Sequence, residues 1–315
     1  SGSAAALGAW NEKKALTLGN PDHPQWCGEV SVPVSEFPVH YKYFIKYENG
    51  KTAFWEKSMD RFIALPEGKV PDVIEIGDEK FSFPQYPWKG AGVAIPVFAL
   101  RRREGFGVGE FTDIKLLVDW AVATGMRLIQ ILPVNDTVAK HTWMDSYPYA
   151  AISVYALHPI YINLLEIGKL DSDINQQIIE AQGKYLNSLH RIDYEAVMAL
   201  KSRFFKLIYD QQKNKFLKDP GFLSFFNDNK HWLRPYAAFS YLRDLFNTPD
   251  FSRWGEYSKP TDELLEHLTH AGSAHYDDIA VHYFIQYHAH LQLFNAATYA
   301  RSKGVVLKGD IPIGI

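Results

Sequence analysis

Gly92-Val-Ala-Ile-Pro-Val-Phe98, Thr112-Asp-Ile-Lys-Leu-Leu-Val-Asp-Trp-Ala-Val-Ala-Thr124-Gly125 and Arg127-Leu-Ile-Gln-Ile-Leu-Pro133 are the three runs on which the fold turns. The first and third are short, largely apolar and closed by proline, the pattern of strands buried on both faces. The second places Ile114, Leu117, Val118 and Ala121 at helical spacing, with Thr112 as a plausible N-cap and Gly125 as a stop. Strand, amphipathic helix and strand in so short a stretch predict a βαβ unit with parallel strands and a right-handed crossover.

Further along, His275 to Ala300 reads as a long helix, and Gly304-Val-Val-Leu-Lys-Gly-Asp-Ile-Pro312 as a third buried strand. Before them, residues 171–270 carry helical stretches such as Tyr194 to Phe216 and no clear strand. The order is therefore strand, helix, strand, helical insertion, helix, strand. A (β/α)8 barrel takes roughly 250 residues and eight strands. The expectation is an incomplete TIM barrel, in a chain that is a piece of a longer protein, truncated at both ends.

Towards the amino terminus the texture changes. Val30 to Val34, Tyr41 to Tyr47, Thr52 to Glu56, Val73 to Ile76 and Lys80 to Phe83 read as short strands, and Glu48-Asn49-Gly50 as a hairpin turn. They predict a small antiparallel β-sandwich. The strip Phe83 to Gly92 holds two prolines and two glycines and sustains neither helix nor interior strand. The predicted domains are residues 1–85 and 86–315.

Composition narrows the function. The 315 residues are 47% hydrophobic and carry 33 basic against 36 acidic side chains, a net charge of −3, so no bulk attraction draws the chain to nucleic acid. Cys27 is the single cysteine, which excludes an intrachain disulfide and fits a reducing, cytoplasmic setting. The longest uncharged apolar run, Ala91 to Leu100, falls short of the roughly 20 residues a membrane helix needs. Ser1 to Leu7 lack the basic and apolar regions of a signal peptide.

Among residues that carry chemistry, Gly105-Phe-Gly-Val-Gly109 lacks the spacing of a dinucleotide loop and reads as a flexible loop at the carboxyl edge of the first barrel strand. His282, His288 and His290 crowd one helix without an i, i+4 pair, so they read as packed or solvated rather than as metal ligands. Arg101-Arg-Arg103 reads as a solvated face. No cofactor and no metal is called for. Asp145-Ser-Tyr-Pro-Tyr-Ala-Ala-Ile-Ser-Val-Tyr155, beyond the second barrel strand, interleaves tyrosines with small hydroxyls. That composition suits a pyranose, whose apolar face stacks on aromatic rings, and suits core filling equally well. Trp10, Trp26 and Trp55 are more tryptophan than so small a domain needs for a core, which suggests an exposed stacking platform.

Leu7-Gly-Ala-Trp10-Asn11, Pro24-Gln-Trp26, Tyr41-Lys42-Tyr-Phe44 and Phe54-Trp55-Glu56 with Arg61 resemble a family 20 starch-binding module. The resemblance makes Trp10, Lys42 and Trp55 a glucan-binding site and puts Trp26 at a core position; the match begins inside the module. Ala94-Ile-Pro-Val-Phe98, Gly105 to Phe111, Ile129 to Val134, Asp145 to Ser153, His158-Pro159 with Ile162 to Leu164, and Lys308-Gly-Asp-Ile-Pro-Ile313 resemble glycoside hydrolase family 77, the amylomaltases or disproportionating enzymes, of the plant-cytosolic and Bacteroidetes type. The resemblance implies a retaining 4-α-glucanotransferase acting on α-1,4-glucans, maltose and malto-oligosaccharides. It implies that the nucleophile, the general acid and a third carboxylate lie on later strands, with no catalytic residue in this chain, so that these 315 residues alone are inactive. It also makes Tyr149, Ser146 and Asp310 substrate-binding residues, Asp310 having a structural reading as a cap of loop backbone. The alternatives are a non-catalytic glucan-binding protein and an α-amylase-type hydrolase.

Overall fold

The computed structural model describes residues 1–21, 25–47, 52–66, 71–78, 81–83 and 90–312. They fall into two compact units, Ser1–Lys89 and Gly90–Ile315.

The first unit is built on antiparallel pairs. β1 (Val39–Tyr41) and β4 (Arg61–Ile63) pair with Val39 opposite Ile63; β2 (Phe44–Lys46) and β3 (Thr52–Trp55) pair with Phe44 opposite Trp55. The pairs form two separate sheets. Tyr41 to Tyr47, expected as one strand, is thus two strands serving different partners. Val30–Val34 is not a strand: Pro33 cannot donate to a ladder, and a 3-10 turn follows at Val34–Glu36. Val73–Ile76 is also unpaired, with Val73 81% exposed and no buried face to align it. Arg61–Ile63 is a strand that sequence reading missed. The Glu48-Asn49-Gly50 turn, Lys80 and most of the Phe83–Gly92 strip lie outside the described residues.

Arg61 holds this unit together. Its Nε and Nη2 donate to the two oxygens of buried Glu56 at 3.0 and 2.9 Å, and Nη1 donates to Asp78 at 2.8 Å. Tyr41 and Tyr43 hydroxyls donate to the other Asp78 oxygen at 2.8 Å each. Burial raises the Glu56 pKa, but the guanidinium and the Tyr43 N–H outweigh it and hold the carboxyl below its ordinary value.

The second unit has one three-stranded parallel sheet in the order β5 (Gly92–Ile95), β6 (Leu128–Ile131), β7 (Val306–Lys308). Gly92 faces Leu128, and Leu128 faces Val306. α1 (Asp113–Ala123) joins β5 to β6, burying Ile114, Val118 and Ala121 as their spacing required. It ends where Gly125 takes φ +75°. The Thr112 hydroxyl makes no capping bond; the Asp113 carboxylate accepts from Glu110 N at 2.8 Å instead.

The insertion is helical, as its patterning predicts: α2 (Asp173–Ser188), α3 (Tyr194–Phe216), α4 (Pro220–Phe246) and α5 (Asp262–Thr269). The side chains of Ser172, Asp193, Asp219 and Thr261 cap the four N-termini. α6 (Tyr276–Ser302) then leads into β7. Its Tyr283 and Phe284 are wholly buried beside Phe204, Phe205 and Tyr209 of α3.

Two loop readings need correction. Gly105–Gly109 is wholly buried rather than a flexible surface loop. It has to be glycine-rich: a Cβ on Gly109 would lie 2.0 Å from the Val97 carbonyl oxygen, and Gly107 sits at φ +87°. Arg101-Arg-Arg103 is not simply solvated. Arg101 donates to the Asn187 and Leu189 carbonyls at 2.8 and 2.9 Å, closing the end of α2, and Arg102 pairs with Asp113 at 3.1 Å.

Candidate functional site

In the first unit, Gly8, Ala9 and Trp10 follow one another at φ +89°, +48° and +63°. This left-handed turn is tied down by Trp10 N donating to Gly2 O at 2.9 Å. β3 supplies Trp55, whose Nε1 donates to Glu12 at 2.8 Å and whose ring lies 4.5 Å from that of Phe44. The two indoles are 6.4 Å apart with planes inclined at 45°. With Lys42 and Asp60, an ion pair of 3.4 Å, they line a shallow pocket of about 330 Å³. The structure therefore brings Trp10, Lys42 and Trp55 together, as expected, and adds Asp60 and Glu12, which sequence reading missed. Apolar ring faces beside a cation and a carboxylate can stack on a sugar and bond its hydroxyls. Trp26 is not a core residue. Its segment is pinned to Gly19 by reciprocal backbone bonds at Cys27, and the Trp26 side chain stands 64% exposed.

In the second unit, the site lies past the carboxyl end of β6. The loop leaves at Asp136 and returns at Ile152, whose N–H donates to Asp136 O at 2.8 Å. It carries Asp145, Ser146 and Tyr149. The Tyr149 hydroxyl donates to Asp310 Oδ2 at 2.9 Å, joining residues 161 positions apart, and this bond raises the phenol pKa. Asp310 follows β7, so both groups stand beyond carboxyl ends of parallel strands. Its Oδ1 also accepts from Ile311 N at 3.0 Å, so the capping reading is realised alongside the bond to Tyr149. Ser146 is exposed at the rim of a pocket of about 740 Å³ that also takes in Trp143, Thr137, His158, Tyr194 and Glu195. Of the loop's tyrosines, Tyr147 and Tyr155 are mostly exposed and Tyr149 is half-buried, so none fills the core.

A buried polar scaffold lies beneath. His158 Nδ1 accepts from Ile160 N at 3.1 Å, so its Nε2 carries the proton and donates to Tyr194 at 3.0 Å; burial pulls the imidazole pKa down to about 3. Gln286 of α6 accepts from Leu157 N and donates to Leu157 O, both at 2.8 Å. Six residues on, Gln292 grips Asn163 N and O at 2.8 and 2.9 Å. Lys201 of α3, fully buried, donates to Glu110, Ile160 O and Ile162 O at 2.6 Å each. Burial lowers its pKa while Glu110 opposes that shift. Sequence reading missed Lys201, Gln286 and Gln292. The signal was present: each is a polar residue among the buried positions of its helix. Half-buried His282 and His288 pack in α6, His288 with its ring 4.3 Å from Phe284. Among the described residues, no group of three or more His, Cys, Asp or Glu could hold a metal ion.

Residues 95–315 match the glycoside hydrolase family 77 profile, described as 4-alpha-glucanotransferase. This chain belongs to that family. Residues 1–73 of this family 77 chain match a starch binding domain. It is 42% identical over its whole length to the 4-alpha-glucanotransferase DPE2 of Oryza sativa subsp. japonica, covering 33% of that protein. Against the 4-alpha-glucanotransferase of Chlamydia muridarum, 70% of it matches at 30% identity, covering 41% of the relative. The family 77 chain thus spans a third to two fifths of the curated relatives it matches. Two amylomaltase structures share its fold over 71% of its length: that of Corynebacterium glutamicum at TM-score 0.54 and 18% identity, covering 30% of that chain, and that of Streptococcus agalactiae in complex with acarbose at 0.53 and 20%, covering 44%. No helix among the described residues is long and apolar enough to cross a membrane.

Proposed function

We propose that this chain is part of a 4-α-glucanotransferase that moves an α-1,4-linked glucosyl or glucan segment to an acceptor sugar by a retaining double displacement. In this reading residues 1–85 are a starch-binding β-sandwich and residues 86–315 belong to the catalytic (β/α)8 barrel, with a helical insertion at about 171–270. The observation that carries it is the Tyr149–Asp310 bond, which sets a ring and a carboxylate side by side past the ends of two parallel strands in a family 77 chain.

The substrates are α-1,4-glucans, maltose and malto-oligosaccharides. Tyr149 stacks on or hydrogen-bonds the sugar at the scissile bond, Asp310 holds a ring hydroxyl, and Ser146 bonds a hydroxyl at the rim. Positive charge grows on the sugar ring in an oxocarbenium-like transition state, so a hydroxyl held by a carboxylate is bound more tightly there than in the ground state. The nucleophile, general acid and third carboxylate are not among these 315 residues. Trp10, Lys42 and Trp55 hold a glucan chain on the first unit. The single cysteine supports a cytoplasmic setting.

The test is an assay with maltotriose of the enzyme expressed from its complete coding sequence. Glucose together with longer oligosaccharides is the expected product pattern. Shortened products alone would make the protein an α-amylase-type hydrolase. Binding without turnover would make it a glucan-binding protein, a reading favoured by the exposed Trp10–Trp55 pocket. The 315-residue chain by itself is expected to release no glucose; release above a vector control would place the reacting carboxylates inside it.

A further inference from the structure

The loop that carries Ser146 and Tyr149 has a narrow neck, and Asp136 is its knot. The Asp136 N–H donates to Ala156 O at 2.8 Å, and its carbonyl accepts from Ile152 N at 2.8 Å, so one residue fastens both arms of the returning chain. Its carboxylate is 1% exposed and has two partners: Oδ1 accepts from Val138 N at 3.0 Å, Oδ2 from the Tyr236 hydroxyl at 2.6 Å. Tyr236 comes from α4, deep in the insertion. Its hydroxyl in turn accepts from Gln286 Nε2 of α6 at 3.2 Å, and the same Gln286 amide holds Leu157, the residue after Ala156. The bonds close a circuit: Asp136, Tyr236, Gln286, Leu157 and Ala156, back to Asp136.

A ring of satisfied buried hydrogen bonds has one low-energy arrangement. Removing one member leaves its neighbours short of partners where water cannot replace them. We propose that Tyr236 and Gln286, acting through Asp136, are positioning residues that set the neck of this loop and thereby hold Tyr149 at Asp310. Neither side chain touches the Tyr149–Asp310 pair; they act by fixing where the loop starts and returns. Arg243 of α4 adds a strut on the same side, its Nη1 donating to Val138 O at 2.6 Å. On this reading the insertion is a brace for the substrate loop, and the inference rests on Tyr149 contacting sugar as proposed above.

The experiment uses the enzyme from its complete coding sequence, with Tyr236→Phe, Asp136→Asn, Tyr149→Phe and the Tyr149→Phe/Tyr236→Phe double variant, assayed on maltotriose well below each variant's melting temperature. Tyr236→Phe is expected to lower kcat about tenfold with little change in KM, since misplacement of a substrate-orienting group is felt mainly on the way to the transition state. The double variant is expected to lose less than the product of the two single losses, short by about threefold or more, because both changes act through the same loop. Independent, multiplicative losses, or normal kcat in Tyr236→Phe, would overturn the positioning role. Asp136→Asn keeps the volume and the acceptor for Val138 N but turns an amide donor towards Tyr236, and it supplies a second variant in case Tyr236→Phe does not fold. Failure of both Tyr236→Phe and Asp136→Asn to fold would assign the circuit to folding and overturn the proposal too. Unchanged kinetics in Tyr149→Phe alone would instead overturn the sugar site on which the proposal rests.

Discussion

The Trp10–Trp55 pocket is shallow, built from rings that lean on one another within a small unit, and a single short strand and a left-handed turn suffice to present it. The Tyr149–Asp310 pair is half-buried and stands on a polar scaffold drawn from α3, α4 and α6. Stacking on a ring tolerates small sideways displacements, because apolar contact has no preferred direction within the ring plane. Hydrogen bonds to particular hydroxyls do not, so the second region carries far more buried support. The lesson is that the two regions differ less in the residues they present than in the buried support around those residues.

The contrast is most exposed to failure at Lys201. Lys201→Met leaves the fully buried Glu110 carboxylate without its cation, and removing one partner of such a pair costs about 3–5 kcal/mol. A large drop in the urea midpoint of the second unit is expected, with recovery in Lys201→Met/Glu110→Gln. An unchanged midpoint would mean that the scaffold carries little stability. Next in size is Asp310→Asn in the enzyme from its complete coding sequence, expected to lower kcat by about 100-fold, or about 2.7 kcal/mol, with Tyr149→Phe costing less. Near-normal kcat in a folded Asp310→Asn enzyme would reduce Asp310 to a cap of loop backbone.

Acid should also distinguish the two regions. The His158 pKa is about 3 in the folded chain against 6.5 ordinarily, so between those values only the unfolded chain binds the proton. Stability from this residue is complete above pH 6.5 and is lost as the pH falls towards 3, by up to about 1.4 kcal/mol per pH unit. Urea titrations of the second unit at several pH values should show at least that slope, and His158→Gln should reduce it, leaving the share of His282 and His288, whose pKa values burial lowers to about 4. A slope unaffected by His158→Gln would place the acid sensitivity elsewhere.

The first unit should respond more mildly. Trp55→Ala is expected to weaken β-cyclodextrin binding several-fold, about 1 kcal/mol, by calorimetric titration. Unchanged affinity in a folded Trp10→Ala/Trp55→Ala variant would remove the stacking platform. Smallest of all is Trp26→Ala, which as an exposed side chain should shift the melting free energy by no more than about 0.5 kcal/mol.

How far the sequence reached follows the same division. Long periodic elements were legible: Tyr194–Phe216 was read to both ends, and the three parallel strands were found from their apolar runs, although only β6 has buried residues and β5 and β7 expose alternate ones, against the expectation of burial on both faces. The short strands of the first unit, which lack a run of apolar residues, leave almost no pattern, which is why Arg61–Ile63 was missed and Val73–Ile76 wrongly included. The meeting of Tyr149 with Asp310 could not come from spacing, since it depends on where β6 and β7 are placed by a helical insertion between them; family resemblance supplied the names and the fold supplied the 2.9 Å. The supporting glutamines and Lys201 were hidden by their own helices, where a polar residue on an apolar stripe reads as a flaw in the pattern.

The two glutamine clamps of α6 also act as a ruler. Gln286 and Gln292 are six residues apart, as are the Leu157 and Asn163 peptides they grip. Six residues of helix advance roughly 9 Å, whereas six residues of extended chain would reach roughly 20 Å. The gripped segment matches the shorter span by coiling through a 3-10 turn at Pro159–Tyr161. Because each amide grips that segment by a peptide group and not by a side chain, the clamps are indifferent to which residues other than proline stand at 157 and 163 and intolerant of any change in how many lie between them.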